Sequence, residues 1–436
     1  MTAEIIIMNK EAVALAADSA STSEIGRKKK IFTSVNKIFA LSKYHPVGIM
    51  IYGSSSYMGV PWETIIKLYR NKLNLSFNSI REYASDFFSF LEKEKQFHSD
   101  KAQKELLENI TYILFFVIGE KIDDEIKRHI EKKGDISISE AKEITNKIID
   151  KYLEKTKSAK LIFPMNDKYK NEFNKKYLKI INKAKNGVFE KLPIDDDHSS
   201  KLIEIIMNLC SREYDFPRTL NYSGIVISGF GNKELFPSYK SFIIEGVIND
   251  KLIYKKDSED SIDVDNNAII RPFAQQEMVY AFMEGIDPGY DKLIYKYMYD
   301  ICNEYPKIIL DNIEKLSKVE KTKIYKKLSK ISEKKFKESI QKLKAYRRKK
   351  YVDPILNAVQ ILPKDELAGM AESLVNLTSF KKKVTIEEET VGGPIDVAVI
   401  SKGDGLIWIK RKQYFKPEIN RQFFSNYFWE GQNDKK

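Results

Sequence analysis

Two short apolar runs open the chain, Glu4 to Met8 and Ala12 to Ala17, with only Asn9, Lys10 and Glu11 between them. Runs of this length around a polar turn predict a β-hairpin. Their apolarity is nearly continuous instead of alternating, so both faces of the hairpin must be buried, and its sheet needs a layer on each side. That requirement excludes a sheet with one wet face. Ile31 to Leu41 and Val47 to Tyr52 repeat the strand signal, Gly53-Ser54-Ser55-Ser56 breaks it, and a helix is predicted from Pro61 to Leu75.

The character then changes. From residue 80 to about 215, apolar residues recur every three or four positions within long charged segments, such as Phe87, Phe90 and Leu91, or Ile144, Ile148, Ile149, Tyr152 and Leu153, which predicts a helical block. Strands return at Gly224 to Ser228 and Ser241 to Val247. A helix at about Phe273 to Glu284 ends at Gly285, and a second helical block runs to Lys350, burying one stripe and exposing a lysine face. A helix from Lys364 to Leu377 precedes two last strands, Asp396 to Ile400 and Leu406 to Lys410, turned by Gly403-Asp404-Gly405.

Strands, helices and strands again predict an α+β protein, and a four-layer αββα sandwich would cover its sheets on both faces. At 436 residues the chain is too long for one plain domain. The expected division is a core in three parts, 1–79, 216–300 and 353–412, with a helical insertion at 80–215, a lysine-rich helical insertion at 301–352 and a tail at 413–436.

Only two cysteines occur, Cys210 and Cys302, so no disulfide framework is expected, and neither they nor the four histidines fall at metal-ligand spacing. Asp263-Val264-Asp265-Asn266-Asn267 imitates a calcium loop but has Ala268 and Ala274 where the loop needs glycine and glutamate. No phosphate-binding or dinucleotide motif is present. No cofactor and no metal are expected. The net charge of +12 comes mostly from lysine; without an aromatic-interleaved basic groove it reads as a solvated surface, and nucleic acid is not the expected partner. No secretory leader or apolar run of membrane-spanning length is visible, which leads to the expectation of a soluble, cytoplasmic protein without membrane contact.

Several segments, in order, resemble proteasome β-subunits and their bacterial HslV-type and ancestral β-subunit relatives. Met1-Thr2-Ala3 followed by a strand, a turn and Ala16-Ala17-Asp18-Ser19 resembles the start of that family, whose threonine becomes the first residue. Asn36-Lys37-Ile38 resembles the strand with its active-site lysine, and Ile51-Tyr52-Gly53-Ser54-Ser55 its oxyanion and substrate segment. Ser228-Gly229-Phe230 through Glu245-Gly246 resembles the central hairpin, and Gly392-Gly393-Pro394-Ile395-Asp396 onward the last core strands.

The resemblance implies an N-terminal-nucleophile (Ntn) hydrolase, a threonine protease acting through an acyl-enzyme on Thr2 once Met1 is removed. A free α-amino group, with a reference pKa of about 7.7–8.0, then serves as base for the threonine hydroxyl. Lys37 is implied beside that hydroxyl, Asp18 as the group that orients Lys37, and the Gly53 N–H as the oxyanion donor, a contact worth about 3 kcal/mol in other hydrolases. Thr22 and Ser55 would bind an extended peptide or protein substrate as an added strand, and Ile51 would line the pocket before the scissile bond. The implied partners are further copies of the chain, as in a ring, and a separate ATP-dependent unfoldase.

The sequence also departs from the family. The accessory serine before the Gly-Gly segment falls at Val391, the aspartate three residues earlier at Glu388, and another supporting serine near Ala274. Glu388 retains an acceptor, whereas Val391 does not. Two other readings therefore stand beside the peptidase: a small-molecule amidase, and a catalytically silent scaffold that binds protein or nucleic acid through its lysine-rich helices.

Overall fold

The computed structural model describes residues 2–25, 28–213, 222–314, 316–385 and 391–422. Its strands are β1 Ala3–Asn9, β2 Ala12–Ala17, β3 Ser21–Ile25, β4 Lys28–Phe32, β5 Ile38–Ala40, β6 Val47–Gly53, β7 Ser56–Tyr57, β8 Val60–Pro61, β9 Ser223–Gly229, β10 Ser238–Ile248, β11 Lys251–Ser261, β12 Ala268–Ala274, β13 Asp396–Ser401 and β14 Gly405–Lys410. Its helices are α1 Trp62–Lys72, α2 Ile80–Lys93, α3 Asp100–Lys133, α4 Ile138–Ser158, α5 Asp167–Val188, α6 Asp196–Leu209, α7 Glu277–Glu284, α8 Pro288–Asp311, α9 Lys318–Arg347, α10 Asp353–Val359 and α11 Lys364–Val384. The protein is a mixed α+β structure in which the sheet pairings described are antiparallel. Among the described residues, no helix is long and apolar enough to cross a membrane.

The chain divides into two compact units. The first comprises Met1–Asn36, Ile262–Val399 and Ile407–Lys436. Its sheet has the order β12-β1-β2-β13-β14. The opening hairpin lies at the centre, with Glu4 opposite Ala17 and Met8 opposite Val13. Every residue of β1 and β2 is buried, as continuous apolarity requires. Ala12, Ala14 and Ala16 line one face of β2, and Leu367, Ala371, Leu374 and Val375 of α11 pack in the same core; small side chains let the helix come close. At the turn, Asn9 Oδ1 accepts the amides of Glu11 and Ala12 at 3.0 and 3.1 Å. Its Nδ2 donates to the carbonyls of Val359 and Leu362 at 3.1 and 2.9 Å, so one asparagine shapes the turn and ties it to the end of α10.

Strand β12 differs from the expected helix at Phe273. The chain stays extended to Ala274, and α7 starts only at Glu277. Pro272 sits within the strand, and β12 can hold it because it is the edge of the sheet, where one face of the backbone needs no donor. The expected strand Ile31 to Leu41 is also two elements. Ile31 and Phe32 end β4, which pairs with β3, and both are exposed; β5 begins at Ile38 in the other unit.

Helices α8 and α9 form an antiparallel hairpin in the first unit. Tyr295 and Tyr299 meet Phe336 edge-on, with ring centroids 5.0 and 5.5 Å apart. At its base Arg347 bonds to Glu284 and Asp291 at 2.9 and 3.0 Å.

The second unit comprises Lys37–Ser261 and Ile400–Leu406, with the sheet order β11-β10-β9-β6-β5. Trp62, Ile65 and Ile66 of α1 and Tyr83, Phe87 and Leu91 of α2 share a core with Val47, Ile49, Ile51, Ile225, Ile227 and Phe242 of the sheet. Helix α2 is thus part of the layer on the sheet. Helices α3, α5 and α6 build a further core around Leu114, Phe115, Phe173, Ile181 and Ile206, which reaches the sheet at Ile248 and Ile253.

Candidate active site

The hairpin register brings Thr2 and Asp18 to one corner of the first unit. β1 starts at Ala3, and β2 ends at Ala17 opposite Glu4, so the residue after β2 lies alongside the start of β1. The Asp18 amide donates to the Ala3 carbonyl at 3.1 Å, and the Ala3 amide returns a bond to Asp18 Oδ1 at 2.9 Å. On the other side, the Gln275 amide donates to the Thr2 carbonyl at 3.0 Å. Thr2 is thereby held between the end of β2 and the residue after β12, and its side chain is buried.

Asp18 Oδ2 accepts two further amides, from Ala20 at 3.1 Å and from Gly392 at 3.0 Å. A buried carboxyl without donors is costly. Here three backbone donors from three segments converge on one side chain, and they fix the Thr2 corner rather than leave it to fray. Ser19 extends the junction. Its amide donates to the Gly392 carbonyl at 3.1 Å, its carbonyl accepts the Val35 amide at 3.1 Å, and its hydroxyl donates to the Pro394 carbonyl. Gly393 has φ +78°, and a Cβ there would lie 2.7 Å from the Thr33 carbonyl oxygen. Sequence reasoning picks out Asp18 and the Gly-Gly pair separately and gives Ser19, quoted beside Asp18, no role of its own. The available signal was the two glycines before Pro394, where the absence of side chains lets another backbone approach.

In the second unit, Lys37 directly precedes β5. The Ile51 amide donates to the Lys37 carbonyl at 2.9 Å, and Ile38 pairs with Met50, so Lys37 and Ile51 face each other across the β5–β6 ladder; both are buried. Residues opposite one another in an antiparallel pair share a face. Gly53 ends β6 at φ +80°, where a Cβ would meet the Tyr222 carbonyl oxygen at 2.6 Å, and the Ser54 amide donates to that same oxygen at 2.9 Å. Glycine is required there by backbone approach. Ser55 is exposed, and its carbonyl accepts the amide of Trp62 at the start of α1 at 3.1 Å. Burial, with Glu92 adding to it, pushes the neighbouring Tyr57 hydroxyl far above the usual phenol range, so this phenol stays protonated.

Of the remaining expected residues, Thr22 lies in β3 opposite Ile31, and its side chain is outside the described set. Glu388 lies outside the described residues. Val391 is buried in the same apolar core as Ala3, Val375 and Val397. Ala274 ends β12 opposite Ala3, exposed and with φ +59°, a left-handed conformation that alanine adopts at a cost of order 1–3 kcal/mol.

Thr2 and Asp18 are thus joined within one unit; in the other, Lys37 lies just before β5, Ile51 and Gly53 lie in β6, and Ser55 lies two residues beyond it. No family model matches the chain, and no curated protein matches it.

Proposed function

We propose that the chain is a threonine-type Ntn amidohydrolase, a peptidase in which Thr2 becomes the first residue and attacks the scissile carbonyl. In this reading the Thr2 hydroxyl forms a bond to the carbonyl carbon and passes its proton to the α-amino group, and the amine leaves with that proton. Water then releases the acyl group and restores the threonine. Lys37 supplies a positive charge that favours the alkoxide, and the Gly53 N–H stabilises the oxyanion. The four-layer αββα sandwich is part of the same proposal.

The observation that carries the reading is the convergence of three backbone amides on Asp18, which anchors the residue following Thr2 at 2.9 Å. A nucleophile whose own amine is the base must have both groups held in one geometry, and a rigid first peptide unit provides it. A second reading, the silent scaffold, is favoured by Val391, a buried apolar residue at the position where the resemblance implies an accessory serine.

The test is intact mass before and after treatment with a threonine-directed epoxyketone or β-lactone, with Thr2→Ala as control. A chain beginning at Thr2 that gains one adduct absent from the variant supports the enzyme. Thr2 retained behind a preceding residue, with no adduct, supports the scaffold.

A further inference from the structure

Helix α8 packs on α9 through one side and leaves a second apolar stripe open. Tyr290, Leu293, Tyr297, Ile301, Tyr305 and Ile308 are each between 44% and 59% exposed. At 100° per residue they fall within an arc of roughly 120° on one side of the helix and run about 27 Å along it. Tyr295 and Tyr299, which meet Phe336, lie roughly 140–180° around the helix from Tyr290 and Ile308. The stripe therefore faces away from α9. An apolar strip of this length on a surface helix marks a binding face.

The order of the stripe says what covers it. Its spacing is 3-4-4-4-3 and reads the same from either end. A twofold axis across the midpoint of the stripe places Tyr290 of one copy on Ile308 of the other, Leu293 on Tyr305 and Tyr297 on Ile301. This is the self-complementarity that an isologous contact requires. The same operation lays Lys296 of one copy across from position 302 of the other, between Asp300 and Glu304 of that copy; Glu304 falls inside the arc, between Leu293 and Tyr297, so a carboxylate within the seam has an opposite charge brought beside it. An anionic membrane would instead need a basic flank on the stripe. The basic surface belongs to α9, with twelve Lys or Arg against three Glu, and it lies behind α8, where two copies keep it apart.

We infer that α8 is a self-association element through which two copies of this chain pair antiparallel. The contact is independent of the proposed chemistry at Thr2. It is measured by sedimentation velocity of the full chain across a concentration series up to tens of micromolar, with the double variant Tyr297→Glu/Ile301→Glu at the centre of the seam. The wild type should sediment at twice the chain mass, and the variant should stay monomeric, with a dissociation constant raised at least tenfold and an unchanged circular dichroism spectrum. Orientation is read by mixing Tyr297→Cys and Ile301→Cys chains, both with Cys302→Ser, under mild oxidation. Antiparallel pairing gives the mixed disulfide in preference to either homodimer. A monomeric wild type, an assembly untouched by the glutamates, or preferential crosslinking of 297 to 297 would each overturn the inference.

Discussion

The amide of Gly392 donates to Asp18 Oδ2 at 3.0 Å, a bond that joins the end of β2 to the segment before β13 across most of the chain. Because Asp18 also accepts from Ala3 and Ala20, its two oxygens are committed to amide donors. Asp18→Asn replaces one oxygen by an NH2 group, which turns a donor toward another donor whichever way it rotates. The variant should lose about 2 kcal/mol of stability, read as a lower midpoint in urea at unchanged slope. In the proposed enzyme it should also slow adduct formation at Thr2. A variant as stable as the wild type would mean that the junction does not hold this corner.

Gly393→Ala probes the same junction from the segment before β13. The added Cβ meets the Thr33 carbonyl at 2.7 Å in a backbone at φ +78°, so both sterics and conformation oppose it. A loss of about 1–3 kcal/mol is expected, measured by thermal melting. Gly403→Ala serves as control, since a Cβ there meets nothing within 4 Å.

How much of this was legible in the sequence depended on distance along the chain. The β1–β2 hairpin and the β13–β14 hairpin follow from local apolar runs and turn residues, and α11 from its periodicity. Strand β11 was invisible because its second half, Lys255 to Ser261, is polar and largely exposed, which hides a strand from any apolar pattern. Strand β12 was hidden by Pro272, which is tolerated only because the strand turned out to be an edge, a property of the sheet and not of the segment. Asp18 stood out as a residue, but its bond to Gly392 is set by the sheet order β1-β2-β13, which no local spacing encodes. Helix α8 shows a related limit: its aromatic periodicity predicts a buried face, and one of its two apolar faces is open.

Acid should loosen the β10–β11 hairpin at a defined place. Glu259 pairs across the ladder with Lys240, which, followed by Lys256, pulls its carboxyl down to about 2 from an ordinary value of 4.5. A depressed folded-state pKa contributes stability that is present above the unfolded value and is lost as pH falls through the folded one. The difference in melting temperature between wild type and Glu259→Gln should therefore be constant above about pH 5 and shrink between 4.5 and 2. The pair is partly solvated, so the difference is small, under about 1 kcal/mol, and should fall in high salt. A difference that persists at pH 2 would show that Glu259 acts by packing and not by charge.

The two cysteines report separately on two helical regions. Cys210 is fully enclosed at the end of α6, in the core with Leu114, Tyr169 and Ile206, and burial pushes its thiol up to about 12. The thiolate is the reactive form, so Cys210 is both shielded and unreactive at pH 8. Cys302 is half-buried on α8. In native buffer at pH 8, an aromatic disulfide reagent should therefore label one thiol per chain, lost in Cys302→Ser, and two in denaturant. Slow appearance of the second thiol under native conditions would measure opening of the α3, α5 and α6 core, and its rate should rise with Phe173→Ala, which leaves a cavity against Tyr169 and Tyr177. Rapid labelling of both thiols in the native protein would mean that this core is open to solvent.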